Sequence, residues 1–334
     1  MTLPSSGQIT LANLQAEFGG SNPISLSEYY RGGAYVPNSS FTSSVPTSGA
    51  ITLQNFRGTS NIFAPTITTN TADINLTSYL AGLGWNGVSA VQVTVAANVY
   101  IYSTSTARGA FYNIPACTII NNGFIMGKGG NGNGGAGGDA LTLAGNISLI
   151  NNSGGYIGGG GGGGARGNDA YFSGGCGGAG GGTGGVSRDG TGGGAGGSIG
   201  GSGGNGSNTG GGSGPVGGYG GTAGGGGGDW DYDTYDTNRR TGGGGGGRVL
   251  PGAASGYPNV GGSGYVRGMA GGGPNQVGEI PNYSDNGVGM GGGGWGAAGG
   301  SYYYAGGAGG KAIALNGHSC TLSGYTSQIY GAVA

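Results

Sequence analysis

The chain has 334 residues, of which 96 are glycine, 11 Lys+Arg, 12 Asp+Glu and one His, leaving a formal charge of −1. Scattered Arg and Lys give no basic stripe for phosphate neutralisation, and Arg31-Gly32-Gly33 occurs once, so nucleic-acid binding is not expected. Met1-Thr2-Leu3-Pro4 lacks the basic start and apolar core of a signal peptide, and no stretch is apolar enough to span a bilayer.

The first sixty residues carry an internal repeat. Pro4–Leu14 aligns with Pro46–Phe56 at seven of eleven positions, and Pro23–Gly32 is a weaker third copy. Each places Thr10, Ser25 or Thr52 between an Ile and a Leu, where a hydroxyl predicts the N-cap of a short helix. Ser25 with Glu28 fits a capping box, and Gly19, Gly32 and Gly58 supply left-handed stops. Each unit has too few apolar residues to fold alone. The units must dock on one another, on the next domain or on a partner, and the last is the expectation: attachment modules for other proteins.

Residues 61–126 turn to Thr, Val, Ile and Tyr. Val91-Gln92-Val93-Thr94-Val95 alternates with period two, and Cys117–Ile120 and Gly123–Met126 read as further short strands, which predicts a small all-β unit.

Glycine then takes over. Twelve of the 96 glycines precede Gly127 and three follow Gly310, so the 184 residues between hold the other 81. Gly158–Gly164, Gly224–Gly228 and Gly242–Gly247 are uninterrupted runs. Such a fraction normally means disordered linker, but the low charge and the 20 Tyr, 7 Phe and 3 Trp argue against one. Collagen needs a strict Gly-X-Y period and more Pro. Helix and pleated sheet lose stability with interior glycine. The ordered arrangement left is a bundle of polyproline-II-type glycine helices. Without Cβ atoms, neighbours approach from every side and exchange N–H···O bonds. Residues with a Cβ are then expected only on outer faces or at segment ends.

A second repeat frames this region. Gly134–Gly145 recurs 172 residues on as Gly306–Gly317, with eight of twelve positions matched. Each copy precedes a strand-like stretch, so residues 311–334 are expected to return to the base as strands. The overall fold class expected is mostly β and irregular.

Between the glycine runs lie aromatic segments, holding Tyr171, Phe172, Trp230, Tyr232, Tyr235, Arg239, Tyr257, Tyr283, Trp295, Tyr302, Tyr303 and Tyr304. Tyr, Ser, Gly and Asn with occasional Trp and Arg is a paratope-like composition, and function concentrates on loops held by rigid scaffolds. These residues are the candidates for display and binding. The alternative for any one ring is packing along the side of the lattice.

Catalysis is unsupported. His318 lacks a nucleophile motif for a triad, and with Cys320 it makes half a zinc site at most. Asp229, Asp231 and Asp233 open like a calcium loop, but Thr234 stands at its glycine position and Arg240 at its final carboxylate. Gly127-Lys128-Gly129 lacks a phosphate-loop context. No enzyme activity, cofactor or metal is expected. Cys117, Cys176 and Cys320 read as small buried thiols.

The Ile-Ser/Thr-Leu units, the stretch Asn122–Gly130, and Gly155-Tyr156-Ile157-Gly158 running into polyglycine together resemble glycine-rich tail or tail-fibre proteins of bacteriophages. The glycine part is similar to the distal adhesins of long tail fibres in T-even-type phages. That resemblance implies a polyglycine-helix sandwich presenting variable loops to a host outer-surface protein or glycan. It also implies a virion location, other tail proteins as partners through residues 1–60, and recognition by Trp230, Tyr232, Tyr235 and Tyr302–Tyr304. Two other classes stay open: a purely structural virion or extracellular filament subunit, and a glycine-rich ice-binding protein.

Overall fold

The computed structural model describes residues 2–167, 173–187, 190–207, 220–226, 243–253, 255, 269–280 and 289–334, with the backbone alone at 230–231, 239–240 and 265–266.

The N-terminal repeat folds into three turns around one core. The first is helix α1 (Leu11–Phe18), which buries Leu14 and Phe18 one turn apart and stops at Gly19, φ +86°. Asn13 Oδ1 accepts from the Thr10 N–H at 2.9 Å, and Asn55 Oδ1 from the Thr52 N–H at 2.8 Å. The two close copies thus share one capping box, with Asn in the place Glu or Gln usually takes. The box expected from Glu28 is not formed. Leu26–Glu28 is a single turn ending at Glu28, and Ser25 Oγ accepts from the Ser27 N–H instead. Leu3, Ile9, Leu14, Phe18, Tyr29, Val36, Val45 and Phe56 form one buried cluster. Phe56 meets both Phe18 and Tyr29 edge-on, at ring separations of 6.0 and 6.4 Å. The units therefore complete their core on one another and need no partner to do so.

From Ile62 the chain winds as a three-sided parallel coil. Its strands are β1 (Ile62–Phe63), β2 (Thr66–Ile67), β3 (Thr71–Ala72), β4 (Ile74–Asn75), β5 (Ala90–Val95), β6 (Tyr100–Tyr102), β7 (Phe111–Ile114), β8 (Cys117–Asn121), β9 (Phe124–Met126), β10 (Leu141–Leu143), β11 (Ile147–Asn151) and β12 (Tyr156–Gly158). A short antiparallel ribbon intervenes, made of β13 (Trp230–Asp231), β14 (Arg239–Arg240) and β15 (Tyr265–Val266). The coil resumes with β16 (Ile313–Ala314), β17 (Cys320–Gly324) and β18 (Ile329–Tyr330). The sheets run β1-β5-β8-β11-β17 with β2 on β5, β16-β10-β7-β4, and β18-β12-β9-β6-β3. A helix, α2 (Leu76–Gly82), buries Leu76 and Leu80 against this stack.

Register explains the interior. Val93, Ile119, Leu149 and Leu322 occupy equivalent places on successive strands of one face. Ile101, Ile125, Ile157 and Ile329 do so on the second. Ile74, Phe111, Leu141 and Ile313 line the third. Period-two alternation turns these residues inward, and each fully buried one contributes roughly 1.5–3 kcal/mol. Two asparagines carried inside are paired: Asn121 Nδ2 donates to Asn151 Oδ1, and Asn151 Nδ2 to the Gly155 carbonyl, both at 2.8 Å. The 172-residue repeat is itself a register, since Leu141 stands opposite Ile313 and Thr142 opposite Ala314.

One corner of successive coils carries inserts of very different length. Between β3 and β4 it is Asp73 alone. Between β6 and β7 it is residues 103–110, between β9 and β10 residues 127–140, and between β12 and β16 the whole stretch 159–312.

Within that last excursion, Gly159–Ala165 lies at the centre. Gly160 and Gly163 donate to Gly138 and Gly135 at 2.8 and 2.7 Å. Gly161 and Gly164 donate to Ala179 and Cys176 at 2.8 and 2.9 Å, and Gly162 and Ala165 to Ala297 and Gly300 at 2.9 and 3.0 Å. Carbonyls follow the same rhythm. Gly158 and Gly161 accept from Gly127 and Gly130, Gly159 and Gly162 from Gly296 and Gly293, and Gly160 and Gly163 from Gly310 and Gly307. Peptide groups thus turn through three directions and repeat every third residue. The run is enclosed on all sides with its polar groups paired, as burial requires.

These glycines are not needed for left-handed backbone, because none of Gly159–Gly164 has positive φ. They are needed for space. A Cβ would lie 1.8 Å from the Asn131 carbonyl oxygen at Gly163, 1.9 Å from that of Gly307 at Gly162, and 2.0 Å from that of Lys128 at Gly160. On outer segments the same period sorts side chains outward: Thr183 and Val186, Ala195 and Ser198, and Ala305 and Ala308 are exposed. Buried Cβ atoms gather at segment ends, with Ala179, Ala223 and Trp295 near the strands and Ala165 and Met290 at the opposite end. Cys176 departs from the expectation. It is fully buried inside a segment, where its Sγ donates to the Met290 carbonyl at 3.0 Å.

Candidate functional site

The end of the glycine region nearest the coil is an anchor. Tyr100, Phe124 and Tyr156 stack in register along one outer face, at ring separations of 4.5 and 5.7 Å. Trp295 and Leu250 pack against that face. Trp295 is 0% exposed, and its Nε1 donates to the Val249 carbonyl at 2.8 Å. This removes Trp295 from the receptor-binding candidates, because a ring with no surface contacts nothing outside the molecule. Arg248 lies over the Tyr102 ring at 5.3 Å and donates from Nε to the Gly180 carbonyl at 3.0 Å, while Lys128 Nζ donates to the carbonyl of Gly181. Burial, with Arg248 nearby, pushes the Lys128 ammonium down to about 8.

The opposite end is defined by the pairings around Ala165. Ala165 donates to Gly300, and Met290 to Ala165. Gly185 pairs with Gly175, Gly243 with Gly185, Gly244 with Gly226, and Gly291 with Glu279. The remaining candidates, Tyr257 apart, fall in segments that start and end near these positions. Tyr171 and Phe172 lie between Gly167 and Ser173, and Trp230, Tyr232, Tyr235 and Arg239 between Gly226 and Gly243. Tyr257 lies between Ser255 and Ala270, Tyr283 between Ile280 and Gly289, and Tyr302–Tyr304 between Gly300 and Gly306. Tyr171, Phe172, Tyr232, Tyr235, Tyr257 and Tyr283 are outside the described residues. The backbone ribbon joins two of these segments, with Trp230 opposite Arg240 and Val266, and Asp231 opposite Arg239 and Tyr265.

The best-defined part is the turn at 301–305. Gly306 N–H donates to Ser301 Oγ at 2.8 Å, and Tyr302 N–H to the Tyr304 carbonyl at 3.2 Å. Tyr302 and Tyr303 are 41% and 56% exposed and meet edge to face at 4.7 Å. Tyr304 is half-buried against Ala165 and Met290, with the Arg166 guanidinium over its ring at 4.6 Å. Arg166 is not among the candidates that composition singles out. It lies 138 positions from Tyr304 and nothing local to either marks the contact.

Thiol chemistry finds no support. Burial pushes the Cys117 thiol up to about 12 and Cys320 to about 11, and Cys176 is also pushed up. Among the described residues, no group of three or more His, Cys, Asp and Glu comes together, and no helix is long and apolar enough to cross a membrane.

No curated protein matches the sequence. A solved structure, the gp37-gp38 adhesin tip complex of the bacteriophage S16 long tail fibre, aligns over 86% of this chain and 88% of its own, with 20% identity and a TM-score of 0.44. The family model for the phage tail fibre adhesin Gp38 matches residues 63–233, just over half of the chain. The chain belongs to the phage tail fibre adhesin Gp38 family.

Proposed function

We propose that the chain binds a host cell-surface protein or glycan through aromatic loops carried on a polyglycine-II lattice. A polyproline-II-type helix has three residues per turn and a rise of about 3.1 Å. The three-residue rhythm of donors and acceptors around Gly159–Ala165, and the outward third residue on outer segments, support that geometry. In such a lattice every inner segment is held by its neighbours, so loop bases are fixed before a ligand arrives. Fixed loops lose little entropy on binding.

One observation carries the reading. The described residues that bound the segments of Tyr171–Phe172, Trp230–Arg239, Tyr283 and Tyr302–Tyr304 lie at the end away from the coil, while Trp295 lies at the coil. Receptor contact and mounting are thereby separated. Residues 1–60 attach the chain to other tail proteins. The filament-subunit alternative draws no comparable support.

The test replaces Asp229–Arg240 with a short Gly-Ser turn and, separately, Tyr302–Tyr304 with glycines. Virions carrying either change should assemble normally but adsorb to host cells at least tenfold more slowly. Unchanged adsorption in both would sink the reading.

A further inference from the structure

Segments 159–165 and 297–300 lie side by side, joined by Gly162 to Ala297 and Ala165 to Gly300, and both end at the same place. Each continues into an aromatic segment, one starting at Arg166 and the other at Ser301. We infer that Arg166 is a positioning residue for the exposed Tyr302–Tyr303 pair. It acts through Tyr304 and does not touch the ligand. This rests on the reading of the 301–305 turn as a recognition element.

The argument is geometric. Tyr304 closes the turn through its carbonyl, which accepts from Tyr302 at 3.2 Å, so its place sets where Tyr302 and Tyr303 stand. Its ring is held from two sides, by Ala165 and Met290 and by the Arg166 guanidinium at 4.6 Å. The apolar contacts limit depth, and the guanidinium over the ring face limits tilt. A cation–π contact is attractive over the whole face of the ring, so it holds an orientation that apolar packing leaves free. Arg166 opens the segment that leads to Tyr171 and Phe172, so the contact also ties two candidate segments together.

The experiment measures virion adsorption to the propagating host strain, together with the thermal midpoint of each purified variant. Arg166→Ala should slow adsorption about fivefold with an unchanged midpoint, the scale of one exposed cation–π contact. Arg166→Lys should recover most of the rate, because an ammonium keeps the attraction. Tyr304→Leu keeps an apolar side chain against Ala165 and Met290 but removes the ring face, and should match Arg166→Ala. Arg166→Ala added to Tyr304→Leu should cost nothing more. Wild-type adsorption by Arg166→Ala, or no recovery by Arg166→Lys, overturns the inference. A variant with both Tyr302→Ala and Tyr303→Ala separates the two levels: if it adsorbs normally, the recognition reading of this turn has failed first and the inference falls with it.

Discussion

The coil and the glycine region solve one problem by opposite means. Both must bury backbone without leaving N–H or C=O groups unpaired. The coil pairs its backbone in two directions only, along parallel sheets, and fills the space between them with columns such as Ile101, Ile125 and Ile157. The glycine region pairs in three directions and has no space to fill, since neighbouring backbones occupy the place a Cβ would take. Side chains in the coil are therefore a source of stability, and side chains in the glycine interior are an obstacle to it. Hydrophobic area does not measure how solid a region is when hydrogen bonds and close backbone contact replace it.

Substitutions in opposite directions would break or sharpen this contrast. The largest effect should come from adding atoms to the lattice. Gly163→Val puts a branched side chain where even a Cβ lies 1.8 Å from a backbone oxygen, and should cost more than the roughly 3 kcal/mol upper range of ordinary overpacking. Loss of the cooperative transition in thermal or denaturant unfolding would register it. Gly192→Ala is the control, with only Ser207 Oγ near, at 3.7 Å, and should fall within about 0.5 kcal/mol of wild type. Next comes removal of atoms from the coil: Ile125→Ala should cost about 2–5 kcal/mol by denaturant unfolding. If Gly163→Val proves milder than Ile125→Ala, the interior is looser than its contacts imply.

A pH-dependent effect lies where the two regions meet. The Lys128 ammonium is held at about 8 against the usual 10.5. Between those values the unfolded chain keeps a proton that the folded chain has shed, so stability rises with pH. Unfolding free energy measured from pH 7 to 10.5 should climb for the wild type relative to Lys128→Met, with the difference flat below about pH 8. A relative fall would show that the ammonium is favoured by its site at the Gly181 carbonyl.

Several parts of this arrangement were legible in the sequence. Thr10 and Thr52 announce their turns because caps are local chemistry. The 172-residue repeat reports a strand pairing because matched residues sit opposite each other, as Leu141 and Ile313 do. The three-sided coil was not legible as such. Its strands are as short as Ile313–Ala314, too short to display alternation, and its columns join residues separated by excursions of unequal length. Trp295 was misplaced because it was grouped with Tyr302–Tyr304 by composition. Its flanking glycines, without the charged neighbours that surround Trp230, are the signal that would have separated them. The Arg166–Tyr304 contact depends on which glycine segments are neighbours, and identical glycines carry no address.

The corner between β12 and β16 has a practical meaning. The same corner closes with Asp73 in one turn of the coil and with residues 159–312 in another. The two ends of the long insert are already in contact, Gly310 donating to Gly160 at 2.7 Å. Closing a longer loop costs only logarithmically more. The coil thus works as a socket that registers where the inserted chain starts and finishes, and is indifferent to how much lies between. Foreign cargo whose termini sit equally close could be plugged in there without redesigning the mount.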